Sequence, residues 1–236
     1  MIMKAIFTIS LMVMISMQVS AQRFLVAFDR FSDNKPSYIT LTDGTELVGE
    51  IQDIDRKKGL IEEITIRDES KKKHKLKPEQ ISHMYLPPSG FSSFVSNYAF
   101  LMDVSNWDND SYDQAHIADG YAYFEQSEVI LKKKKMVMLM QLLNPSFSSN
   151  MKVYHDPFAS ETMSIGVGPM TVAGGDDKSY FIKTGDEPAY KLEKKNYRES
   201  VKMVYKMCPS TLKEIGEKPA WADFEQHVYL TSKNCK

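Results

Sequence analysis

The sequence predicts an α+β protein in which the strands come first and the helices last. Three observations predict it. Alternating apolar and polar residues, broken by turn dipeptides, dominate from Tyr38 to Leu192. From Lys194 the apolar period lengthens to that of a helix. An apolar leader ending in small residues opens the chain and places the start of the mature fold near residue 22. The expected organisation is a leader at 1–21, a small antiparallel β-barrel-like unit at 22–90, a second β-rich section at 91–193, and a helical tail at 194–236.

In the leader, Lys4 supplies a positive start and Ala5–Met17 an apolar stretch. Val19-Ser20-Ala21 then sets small or medium residues before a cut at Gln22. This is the grammar of a secretory signal. No cysteine follows the cut, which argues against a lipid anchor there. Removing 21 of the 236 residues leaves 29 basic and 31 acidic ones. A net charge near −2 offers no nucleic-acid footprint. No later apolar run reaches the roughly 18 residues of a membrane helix, so no integral span is expected after signal removal.

The first section reads as five short strands. Tyr38–Leu41 alternates, Asp43-Gly44 turns, and Leu47, Gly49 and Ile51 resume the alternation. Ile54 breaks the period of two, which predicts a bulge after Ile51. Leu60–Ile66, His74–Leu76 and Ile81–Leu86 follow, with a single turn at Pro78-Glu79-Gln80 before the last. Pro87-Pro88-Ser89-Gly90 ends the unit.

The second section opens on an acidic stretch. Pro78–Leu131 contains no lysine or arginine but eight acids, and Asn106–Asp113 reads as an exposed loop. Tyr98–Val104 is left between helix and loop. Tyr121–Leu131 is expected as a strand interrupted near Gln126-Ser127. Met136–Leu143 fits strand or helix, and its flanks favour strand. Lys152–Tyr154 is another strand. Ser179–Lys183 and Ala189–Leu192 flank a turn at Thr184–Glu187, a hairpin signature.

In the tail, Tyr197, Val201, Val204, Tyr205 and Cys208 share one helical face. Asn196 with Glu199 forms a box-like cap. Pro209 ends this helix, Ser210–Ile215 is a short one, and Pro219 opens the last, whose apolar face is Trp221, Phe224 and Val228. Cys208 and Cys235 are the only cysteines. In an oxidising compartment they are expected to pair, closing a loop worth roughly 3 kcal/mol; the alternative is two unpaired thiols. Pairing requires an up-down-up arrangement of the three helices.

The run Tyr38–Leu41 with Asp43-Gly44-Thr45, Gly49 and Leu76–Ile81 resembles the N-terminal unit of uncharacterised secreted proteins of Bacteroidota. Val153-Tyr154-His155-Asp156, Tyr180–Lys183 and Asn196–Pro209 resemble their C-terminal part. The resemblance implies an exported cell-envelope protein, and it brings no catalytic residue set with it.

Several constellations bear on chemistry. His155-Asp156 offers a base and its orienter, but neighbours on a strand point to opposite faces. Asp108, Asp110 and Asp113 suggest a Ca²⁺ loop; Tyr112, Asp113 and Asp119 stand where that template needs a ligand, a glycine and a glutamate. His74, His83, His116, His155 and His227 lack zinc-site spacing. Gly166–Gly175 lacks a following Lys-Ser pair. Lys71–Lys73 with Lys75 and Lys77, and Lys132–Lys135, read as guarded strand edges. Tyr121, Tyr123 and Phe124 with Trp107 offer an aromatic platform for sugars, or core. No cofactor is expected. The resulting expectation is a non-catalytic binding or structural module whose partner is another envelope protein or surface component. The alternatives are a secreted hydrolase centred on His155 and a Ca²⁺-stabilised adhesion protein.

Overall fold

The computed structural model describes residues 24–90, 111–159 and 178–235. The expected leader, Tyr98–Val104, Trp107, Asp108, Asp110 and Gly166–Gly175 lie outside the described residues. The first section folds as β1 (Pro36–Leu41), β2 (Glu46–Lys57), β3 (Leu60–Asp68), β4 (Lys73–Leu76) and β5 (Ile81–Leu86). The second holds α1 (Gln114–Ala118), β6 (Ala122–Leu131), β7 (Lys134–Gln141), β8 (Met151–His155), β9 (Ser179–Thr184) and β10 (Ala189–Glu193). The tail holds α2 (Tyr197–Val204), α3 (Pro209–Ile215) and α4 (Phe224–Asn234).

All ten strands join one mixed sheet in the order β4-β3-β2-β1-β5-β6-β10-β9-β8, with β7 also paired to β6. Among the described strands, only β6 and β10 pair in parallel. Asp43-Gly44 turns β1 into β2. Gly44 has φ +85°, and Asp43 Oδ1 accepts from Thr45 N at 2.9 Å. The register slips between Ile51 and Asp53, where the broken alternation placed a bulge. Gly49 sits where a Cβ would run into the carbonyl of Arg67 on β3.

The first section is not a barrel. β4 pairs with β3 alone, and β5 finds its second partner in β6 through the register His83↔Glu125 to Leu86↔Ala122. A strand already flanked by β1 and β6 cannot also close onto β4. The sheet therefore runs on across residue 90. β6 is continuous through Gln126-Ser127, because the pairing of Phe124↔Gln141 to Leu131↔Lys134 supports its whole length.

Strand alternation sorts the core. On β8 and β9, Met151, Val153, Tyr180 and Ile182 face the helices, while Tyr154 and Phe181 face the opposite side. Tyr197, Val201, Val204 and Tyr205 supply the helical side, with Trp221, Phe224 and Val228. Trp221 and Phe224 stack at 5.1 Å between centroids. Burying a ring as completely as that of Phe224, which is 1% exposed, contributes roughly 1.5–3 kcal/mol. A separate cluster of Ile39, Ile51, Ile64, Ile81, Met84 and Phe124 fills the first section.

The tail departs from expectation in three places. α2 ends at Val204, and Pro209 opens α3 at the first-turn position that proline favours. Asn196 makes no side-chain cap; its amide turns 3.5 Å to Glu193 instead. α4 begins after a single turn at Trp221–Asp223, not at Pro219. Cys208, just before α3, and Cys235, just after α4, form a disulfide with Cα atoms 5.7 Å apart. No helix among the described residues is long and apolar enough to cross a membrane.

Candidate functional site

Polar and aromatic side chains concentrate on the sheet face opposite the helices. Tyr38, Tyr85 and Tyr123 are register partners across β1, β5 and β6. One step along, His83 on β5 stands opposite Glu125 on β6. Period two along β6 puts Glu125 on the side of Tyr123, and along β8 it puts Lys152 beside Tyr154.

These residues meet at Glu125. Lys152 Nζ lies 2.8 Å from both carboxylate oxygens, and the Tyr154 hydroxyl donates to Oε1 at 2.6 Å. The Tyr123 hydroxyl donates to Oε2 at 3.4 Å. Tyr112 covers the group: its ring centre is 5.8 Å from Lys152 Nζ, and its hydroxyl accepts from Ser148 Oγ at 3.1 Å. The Glu125 side chain is 12% exposed and that of Lys152 31%.

The electrostatics follow from burial and from one carboxylate. Burial disfavours the Lys152 ammonium, but Glu125 and then Tyr112 together outweigh it and hold the lysine above its ordinary range. Burial, and then the charge of Glu125, keeps the Tyr123 and Tyr154 hydroxyls protonated far beyond the usual phenol range. Burial also raises Tyr85 and Tyr112 and lowers His83. The Tyr123 and Tyr154 phenols are therefore donors and the lysine a cation, all directed at one carboxylate. Such an arrangement ties β6 to β8 and leaves Glu125 poorly placed to abstract a proton.

The aromatic face continues to α1. Asp113 caps that helix, its Oδ1 accepting from Ala115 N and His116 N at 2.9 and 3.2 Å. Its Oδ2 lies 2.6 Å from His116 Nδ1, and the His116 ring packs 4.1 Å from that of Tyr38 and 5.0 Å from that of Tyr85. Asp113 thus has a local role; the other two aspartates of the expected Ca²⁺ loop lie outside the described residues. Among the described residues, no group of three or more His, Cys, Asp or Glu is placed to hold a metal ion.

His155 and Asp156 part company. Asp156 is fully buried; its Oδ2 accepts from Ser179 Oγ at 2.6 Å and pairs with Lys191 Nζ at 2.7 Å, and its Oδ1 accepts from Phe158 N at 3.0 Å. His155 instead lines a small cavity with Phe28, Arg56, Gly59 and Gln141. The described contacts of Asp156 do not orient the imidazole. Tyr123 and Phe124 also separate, one to the aromatic face and the other against Phe31 in the first-section core, so with Tyr121 they make no single platform.

Sequence reasoning passed over Glu125, Lys152, Tyr154 and Tyr112. The signal was present as period-two placement of Tyr123 with Glu125 and of Lys152 with Tyr154. Which two strands would meet was not readable, because 19 residues, including another strand, separate them in sequence. Against known proteins, the chain matches no family model, no curated protein and no solved structure.

Proposed function

We propose that this is an exported cell-envelope protein that works as a non-catalytic binding or structural module. The observation that carries the reading is the engagement of two carboxylates by their neighbours. Glu125 is held by Lys152 and Tyr154, and Asp156 by Ser179 and Lys191. Groups engaged in this way stabilise a scaffold, and freeing either carboxylate for chemistry would leave a half-buried lysine without its partner. The Cys208–Cys235 bridge supports a site of action outside the reducing cytosol. The leader and the resemblance to secreted proteins of Bacteroidota support the envelope.

The test is cross-linking of the tagged protein in intact cells, followed by mass spectrometry of what co-purifies. One dominant envelope component is expected. Recovery of the protein only in the cytosolic fraction with reduced cysteines would overturn the localisation. A turnover activity lost on replacing His155 would overturn the non-catalytic reading.

A further inference from the structure

Two strand edges open onto one groove. Leu60–Glu63 of β3 lines one side and Met136–Leu139 of β7 the other. β4 pairs with β3 only from Ile64 onward, and β7 pairs with β6 alone. Among the described residues, neither stretch has a second strand partner. The hairpin closing at Leu131↔Lys134 sets the alternation of the ladder. Lys135, Val137 and Leu139 therefore turn their N–H and C=O groups away from β6.

The next length of that edge is already covered by extended chain. Leu143, of the same parity, accepts from Leu25 N at 2.6 Å. The Gln141 amide bonds Val26 O and Phe28 N, each at 2.9 Å, as a strand backbone would. Covering thus stops at Gln141 and leaves the groove stretch open. Ile61 and Leu139 are buried at the inner end, while Ile130 and Met136 are each 40% exposed.

Five lysines and five acids line the groove, and its tips are strained. Lys58, Lys132 and Lys133 occupy the hairpin tips with φ of 51°, 49° and 67°. Asn or Gly adopts these conformations at lower cost, and strain kept at a surface points to use of the side chains there. Of the acids, Glu62, Glu63 and Glu193 each lie within 4 Å of a lysine, while Asp55 and Glu79 also line the groove. Lys58 and Lys132 have no carboxylate partner among the described residues.

We propose that this groove receives an extended strand from a partner protein. The strand pairs with the outer edge of β7, places alternate apolar side chains beside Val137 and Ile130, which share a sheet face, and presents an acidic group to Lys58 and Lys132. Backbone pairing supplies affinity and the alternate side chains supply selectivity. The inference rests on the binding-module reading and names the kind of partner.

The probe is a phage-displayed library of random nonapeptides, selected on the full folded protein. Selected peptides are expected to alternate apolar residues and to carry Asp or Glu at one end. V137P removes one outward N–H at an edge position where proline is tolerated, and is expected to weaken binding at least tenfold. K132N/K133G, which relieves the tip, is expected to weaken it at least threefold. The Val137 amide should exchange more slowly in the complex. Selection that yields no binders, peptides without alternation, or binding undiminished in V137P would overturn the proposal. A partner found by cross-linking but mapped away from β3 and β7 would overturn it while leaving the module reading intact.

Discussion

Nδ1 of His227 lies 2.5 Å from the hydroxyl of Tyr197, and that hydroxyl lies 3.0 Å from the hydroxyl of Tyr205. The three groups form a polar thread inside the apolar contact between α2 and α4. Burial lowers the pKa of His227 below its ordinary value, with Asp223 working weakly the other way. The unfolded chain therefore takes up the proton first as pH falls through about 6.5, and this contribution to stability is lost below that point. Denaturant midpoints are expected to fall between pH 7.5 and 5.5. His227→Phe should cost about 1–2 kcal/mol at pH 7.5 and flatten that dependence.

Glu125→Gln tests the ion pair on the opposite face. It leaves Lys152 largely buried with no carboxylate, and the expected cost is about 3 kcal/mol. Glu125→Gln with Lys152→Met should recover most of it. A single substitution costing less than 1 kcal/mol in urea titration would contradict the description of this cluster.

The disulfide closes a loop between residues 27 positions apart. Replacing both cysteines by serine is expected to cost about 3 kcal/mol in the chain-entropy account. Thermal melts with and without reductant read the same difference in the native protein.

At the β6–β7 turn the expected change is a gain. K132N/K133G puts residues suited to positive φ at both central positions. Calorimetry should show stabilisation of about 1 kcal/mol. No gain would mean that the turn holds these lysines without strain.

Asp68 gives a second pH signature. Its carboxylate is held down to about 2 by the His74 imidazole, 2.7 Å away, and then by Ser70. The stabilisation is present above the unfolded value near 3.9 and is lost as pH falls towards 2. A carbon-detected NMR titration should find the depressed midpoint in the native protein and lose it in His74→Phe.

Local pattern carried most of the strands and helices. Tyr38–Leu41 with Asp43-Gly44 specifies a hairpin because alternation and turn chemistry agree. The face of α2 was legible because Tyr197, Val201, Val204 and Tyr205 repeat at helical spacing. Where the reading failed, distant contacts decided. A closed unit at 22–90 looked self-sufficient, but β5 needed β6, which lies beyond a long intervening stretch. Asn196 looked like a cap until the nearby Glu193 drew its amide aside. For the site, the residues were visible as alternation on single strands; the meeting of Glu125 with Lys152 depends on the order of strands in the sheet, which no local window contains.

The N-terminal segment has a consequence for how the molecule comes into being. Phe24 packs 5.7 Å from Phe224, and Phe28 belongs to the first-section core. The short stretch from Phe24 to Phe28 thus packs on both the helical side and the first-section core, and one of its partners lies 200 residues further along the chain. It stays undocked until that partner has been synthesised. The locking of this stretch is then a late event in folding, and a bulky fusion placed just ahead of Phe24 should slow folding more than one appended after the helices.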